Sequence, residues 1–159
     1  MSYVSPGRAM KGGRVDREAL ARGPNGHTLC RWCNLEVAAG RFTFCSEWCV
    51  HEWRLRSDPG YLRAQVFARD RGICALCAAD CESEICRLKR LRGSRAVEAW
   101  AAWGLRPRQR RSLWDADHIL PVAEGGGECD LANMRTLCLR CHGRVTGELR
   151  ARLRKSANA

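Results

Sequence analysis

Apolar residues recur along this chain with more than one period. Leu62, Val66 and Phe67 share one face of a helix predicted over residues 59–71, with Asp58 as its cap, Pro59 at its first position and Gly72 as its stop. A second helix is predicted over 95–103, capped by Ser94, stopped by Gly104 and carrying Val97 and Trp100 on one face. Residues 114–122 read as a strand and turn, 133–137 as a short strand, and 139–155 as a basic helix. Residues 1–29 have no such period. Gly7, Gly12, Gly13, Gly23, Pro24 and Gly26 mark them as a flexible arm. No apolar run approaches the ~18 residues of a membrane span.

Charge sharpens this division. The chain has 159 residues, with 28 Lys and Arg against 17 Asp and Glu, a formal charge of +11. Only Lys11, Lys89 and Lys155 are lysine, and the preference for Arg suits forked contacts with phosphate. Residues 87–111 carry nine basic side chains against Glu98 alone, whereas 30–86 are nearly balanced. Such a concentration of charge is what a surface for a polyanionic partner requires, and by itself is equally a solvated face or a disordered basic loop. Within the basic segment Trp100 is assigned to the core, and Trp103 is a candidate for stacking on bases.

Eleven cysteines change the picture again. Cys74-Ala-Leu-Cys77 and Cys138-Leu-Arg-Cys141 are two C-x-x-C pairs about 60 residues apart. Two tight turns of this kind complete a four-sulfur tetrahedral zinc site. A redox C-x-x-C would stand alone near a βαβ pattern, which is absent. Cys30-Arg-Trp-Cys33 and Cys45-Ser-Glu-Trp-Cys49 form a second cluster. The run Phe44-Cys45-Ser46, before a Cys that opens a polar helix, resembles small treble-clef fingers, with His51 as the substitute ligand. Cys81, Cys86 and Cys129 are left over and read as free thiols. Residues 1–29 lack the apolar stretch of a secretory signal, so a disulfide framework is not expected.

The third constellation is Asp117-His118-Ile119-Leu120-Pro121, then Gly125-Gly126-Gly127, Leu131-Ala132-Asn133, and Cys141-His142 at a predicted helix start. In this order the motifs resemble the HNH nuclease family, whose core is a ββα-metal finger. The resemblance covers roughly residues 61–149, interrupted between Cys77 and Trp114. His118 stands alone in the cluster as a His not adjacent to a Cys pair, and imidazole suits proton abstraction near neutral pH, so it is the candidate general base. Neighbours on a strand face opposite ways, so Asp117 turns from His118 toward His142, and that carboxylate and imidazole can hold one divalent ion. The resemblance further implies that Asn133 orients His118 through hydrogen bonds, that Mg²⁺ or Mn²⁺ is the ion, and that products carry 5′-phosphate and 3′-hydroxyl ends.

The resulting expectation is an α+β protein with a small zinc-stapled ββα-metal core, treble-clef-like, with added helices and an N-terminal zinc finger. Its parts would be a basic arm at 1–29, a four-cysteine finger at 30–57 and a nuclease domain at 58–159 with a basic helical insertion at 78–113. Function would be metal-dependent DNA cleavage, with selectivity for DNA structure left open, using two structural Zn²⁺ and one catalytic Mg²⁺ or Mn²⁺. Arg106, Arg108, Arg110, Arg111 and Arg144 are the candidate phosphate contacts. The expected location is cytoplasmic, nucleoid-associated if bacterial, without a membrane. The runner-up readings are a catalytically inert zinc-finger adaptor that binds DNA and a thiol-redox or metal-buffering protein.

Overall fold

Ser46 accepts a hydrogen bond from the Cys49 backbone N–H at 3.2 Å and so opens α1, Glu47–Ser57. Glu47 in its first turn and Arg54 and Arg56 in its last match the helix dipole. The computed structural model describes residues 15–127 and 130–157. These fall into two compact units divided at Asp58 and Pro59.

The first unit is built around the cysteines themselves. Cys30, Val37 and Cys49 are buried together, with Trp32, Phe44 and Cys45 packed against them. Arg31 and Arg56 lie over aromatic faces, Arg31 at 4.6 Å from the Trp53 ring centroid and Arg56 at 4.4 Å from that of Trp32. Folding begins ahead of Cys30, because Arg22 bridges Thr28 and Leu29 bridges Glu36 as isolated antiparallel pairs. Thr28 is buried, its hydroxyl donating to the Phe42 carbonyl at 2.6 Å. Residues 22–29 are thus tied to the finger and not free as an arm would be; residues 1–14 of that expected arm lie outside the described residues.

The second unit starts with α2, Pro59–Asp70, which ends where Arg71 and Gly72 both take positive φ. Leu62 and Val66 are buried as their spacing predicts, but Phe67 is 41% exposed and stacks its ring on Trp114 at 5.9 Å. α3, Cys81–Arg90, is capped by Asp80, which accepts from the Glu82 and Ser83 N–H groups. α4 runs over Gly93–Ala101. Ser94 therefore lies inside α4 and does not cap it, and the buried face is Ala96 with Trp100 while Val97 points outward. α3 and α4 pack on one another, and Ile85 and Leu88 are buried there, each worth about 1.5–3 kcal/mol of apolar burial, with Trp100 buried as well.

β1, Trp114–His118, pairs antiparallel with β2, Met134–Cys138, in the register Asp117 to Arg135 and His118 to Met134. β1 stops at His118, and residues beyond it turn through a 3-10 segment at Val122–Glu124. A second 3-10 turn, Leu131–Asn133, delivers the chain to β2. α5, Leu139–Ala157, follows β2 directly, carrying the hairpin into a helix. No helix among the described residues is long and apolar enough to cross a membrane.

Candidate active site and metal centres

Cys30, Cys33, Cys45 and Cys49 form one group, and Cys74, Cys77, Cys138 and Cys141 another; within each, the sulfurs lie within 4.8 Å of one another. Tetrahedral zinc with bonds of about 2.3 Å sets its sulfurs about 3.8 Å apart. Cys33 to Cys45 is 3.5 Å, Cys45 to Cys49 is 3.4 Å, and Cys77 to Cys138 is 3.7 Å, so both quartets fit the ion. The thiols are not equivalent. Burial would raise Cys74, but the backbone N–H groups of Cys138, Leu76 and Cys77 bring it down to about 6. Burial, then the neighbouring thiols Cys138, Cys77 and Cys74, push Cys141 up to about 12. Such a quartet favours thiolates once a cation is shared among them. Both quartets could hold structural zinc. Cys81 is buried at the start of α3, its thiol pushed up to about 12 by burial and by the nearby Cys138 and Cys74. Cys86 is exposed, and Cys129 lies outside the described residues.

The Cys74 quartet fixes where α5 begins. Cys138 ends β2 opposite Trp114, and Cys141 sits in the first turn of α5, so His142 is carried to the hairpin face. Asp115 and Asp117, two apart on β1, share that face. The His142 ring stands between them: Nδ1 is 3.7 Å from Asp115 Oδ2 and Nε2 is 3.7 Å from Asp117 Oδ1. Asp115, Asp117 and His142 stay partly accessible, at 22%, 13% and 38% side-chain exposure.

Each carboxylate also meets arginine. Arg110 Nη2 is 2.6 Å and Arg63 Nη1 3.6 Å from Asp115 Oδ1, and Arg135 lies 3.0 Å from Asp117 Oδ2. Arg63 is itself anchored, donating to Ser112 Oγ at 2.6 Å and the Trp114 carbonyl at 2.7 Å, with its guanidinium 3.6 Å from the Trp114 ring centroid.

Asn133 does not spend its amide hydrogens on the His118 ring. Its Nδ2 donates to the carbonyls of Leu120 at 3.0 Å and Gly126 at 2.9 Å, and its Oδ1 accepts from Leu120 N–H at 2.9 Å. The Ile119 N–H also donates to the Asn133 carbonyl at 2.7 Å. Asn133 therefore fixes the main chain just after His118, holding that strand end through backbone hydrogen bonds. A Cβ at Gly126 would lie 1.8 Å from the Leu120 oxygen, so this closure requires glycine.

Of the candidate phosphate contacts, Arg110 is engaged with Asp115 and Arg144 with Glu148 at 2.9 Å. Arg106 and Arg108 are exposed in the segment ahead of β1, Arg111 accepts from Lys89 through its carbonyl, and Trp103 packs beneath Arg140 while donating to Glu84. The spacing did not single out Asp115, Arg63 or Arg135; the two-residue step from Asp115 to Asp117 was the available signal.

Residues 105–148 match the HNH endonuclease family. The "DNA annealing helicase and endonuclease ZRANB3" of Mus musculus is 40% identical over 144 residues, covering 77% of this chain and 14% of that protein. Its Homo sapiens counterpart is 36% identical over 111 residues, covering 62% and 10%. The crystal structure of the human ZRANB3 HNH domain is 31% identical, covers 62% of this chain and 97% of that one, and superposes with a TM-score of 0.48. This chain thus spans about a seventh of the length of the mouse relative. Through residues 105–148, which contain Asp117, His118, Asn133 and His142 in motif order, the chain belongs to the HNH endonuclease family.

Proposed function

We propose that this chain is a metal-dependent DNA endonuclease. The observation that supports it best is His142 held between Asp115 and Asp117, where His118 ends the same strand and Asn133 closes the loop that follows. His118 is the general base, taking a proton from the attacking water. Asp117 and His142 would hold one divalent ion through Oδ1 and Nε2, which already face one another. When bound, Mg²⁺ or Mn²⁺ supplies charge neutralisation at the scissile phosphate and its leaving oxygen. Asn133 keeps His118 at the strand end by fixing the next two backbone units. The zinc at Cys74, Cys77, Cys138 and Cys141 serves as a staple for the strand-to-helix junction, and Arg106, Arg108 and Arg111 contact flanking phosphates.

One observation favours the inert DNA-binding adaptor instead: Arg110, Arg63 and Arg135 already neutralise both carboxylates. Incubating supercoiled, linear, forked and flapped DNA with the chain and Mg²⁺ or Mn²⁺ separates the readings. Metal-dependent cutting of any substrate is expected. Binding without cutting of any of them would establish the adaptor.

A further inference from the structure

We infer that Asp115 is a positioning residue, which fixes the tautomer and orientation of His142 so that Nε2 is the nitrogen presented to a divalent ion. The inference rests on the proposed site at Asp117 and His142. It begins with a near-symmetry: each carboxylate gives one oxygen to arginine and turns the other toward a different nitrogen of the same ring. An imidazole cannot offer a lone pair on both sides at once, because its neutral form carries one N–H and one bare nitrogen. One aspartate must therefore accept the N–H, and the other must share the bare side.

Three observations break the symmetry. Asp115 Oδ1 faces two guanidinium groups, Arg110 at 2.6 Å and Arg63 at 3.6 Å, whereas Asp117 Oδ2 faces Arg135. Arg63 is held in place by Ser112, the Trp114 carbonyl and the Trp114 ring, so this part of the Asp115 clamp belongs to the scaffold. Asp117, not Asp115, directly precedes His118 and pairs across the hairpin with Arg135. Asp115 is thus committed to the scaffold and accepts from Nδ1–H, and Asp117 keeps Oδ1 for the ion. The 3.7 Å separation is a small ring rotation longer than a hydrogen bond, and contacts of this type tighten when substrate binds. A carboxylate behind a histidine ligand raises the ligand's basicity and holds its ring, and losing it typically costs about 10–100-fold in metal affinity.

The test uses the full zinc-loaded chain with ¹⁵N-labelled histidine, reading the His142 tautomer by long-range ¹H–¹⁵N correlation without other divalent ions. The expected result is Nδ1–H in the parent, a shift toward Nε2–H in Asp115→Ala, and Nδ1–H retained in Asp115→Asn, whose amide oxygen still accepts. Mn²⁺ titration followed by electron paramagnetic resonance should show affinity falling about 10–100-fold in Asp115→Ala and much less in Asp115→Asn. A parent in the Nε2–H form overturns the assignment without need of any variant. Equal loss of Mn²⁺ affinity in the two variants also overturns it, since Asp115 would then be a ligand. Nδ1–H in a parent that binds no Mn²⁺ would uphold Asp115 as the orienting group and refute the metal site of the proposed reaction instead. Zinc content measured in parallel shows that each variant is folded.

Discussion

Asn133 donates through Nδ2 to the Gly126 carbonyl at 2.9 Å, closing the loop that follows His118. The same amide holds both polar groups of the Leu120 main chain, and Gly126 packs against Leu120 with no room for a methyl group. Gly126→Ala should therefore open this loop at a cost on the order of 1–3 kcal/mol, the scale of overpacking elsewhere. Thermal melts should drop and cleavage should fall while the zinc content stays at the parent value. An unchanged melting temperature would mean that the loop does not depend on this contact.

Asn133→Ala removes the partner of three main-chain groups at once. Because it breaks the same closure as Gly126→Ala, the two should fail to add in a double-mutant cycle. Coupling comparable to the smaller single effect is expected from denaturant unfolding of the four proteins. Simple additivity would assign the residues to separate roles.

His118→Ala should lower cleavage by about 10²–10⁴-fold, the usual contribution of a positioned base. DNA affinity and zinc content should match the parent, since His118 lies outside both cysteine quartets. Cutting at the parental rate would remove His118 from the reaction.

Two zinc ions per chain are expected by mass spectrometry under native conditions. Cys33→Ser and Cys77→Ser should each lose one ion, from separate quartets. Protons compete with zinc for the thiolates, so acidification should release both ions. In Cys77→Ser, cleavage should also vanish, because the Cys74–Cys77 turn no longer pins the junction of β2 and α5 that places His142.

Asp70 links α2 to β2 by accepting the Thr136 N–H at 3.0 Å. Its carboxyl is held below the ordinary range by the adjacent Arg69, against the opposing effect of burial, and by Thr136. A depressed carboxylate stabilises fully above its unfolded value, and that contribution is lost as pH falls through the folded one. Asp70→Asn should therefore destabilise by on the order of 1 kcal/mol, with a deficit constant from neutrality down to about pH 5. A deficit that shrinks within that interval, measured by paired melts, would contradict this sign.

Much of this arrangement was legible in the residues. Three C-x-x-C pairs and the C-x-x-x-C pair at Cys45 and Cys49 predicted both quartets, because so short a gap is a local property of one turn. The helix at 59–71 and the basic helix after Cys138 followed from capping and charge, which are also local. Within the expected helical insertion, α3 is not separately legible although Cys81, Ile85 and Leu88 have helical spacing and are buried, because Cys81 and Cys86 read first as spare thiols. The role of Asp115 was hidden for a different reason. Alternation along β1 places it beside Asp117, but its significance depends on α5 bringing His142 back across the hairpin, a contact between distant parts of the chain. Arg110 looked like a free phosphate contact because a sequence does not reveal which acid has already claimed it.

The segment between Cys77 and Trp114 has a further consequence. Both of its stems are fastened to the same piece of scaffold: Ala75 N–H donates to the Thr136 carbonyl at 2.8 Å on one side, and Leu139 N–H to the Leu113 carbonyl at 3.0 Å on the other. Ahead of Arg110 and Ser112, which serve Asp115 and Arg63, an excursion anchored at its two feet can vary in length, charge and curvature without altering the register of the hairpin between Asp117 and Arg135. The chain thereby separates what must be inherited unchanged from what is free to diversify. The hairpin that carries Asp115, Asp117 and His118 belongs to the first category, and α3 and α4 to the second.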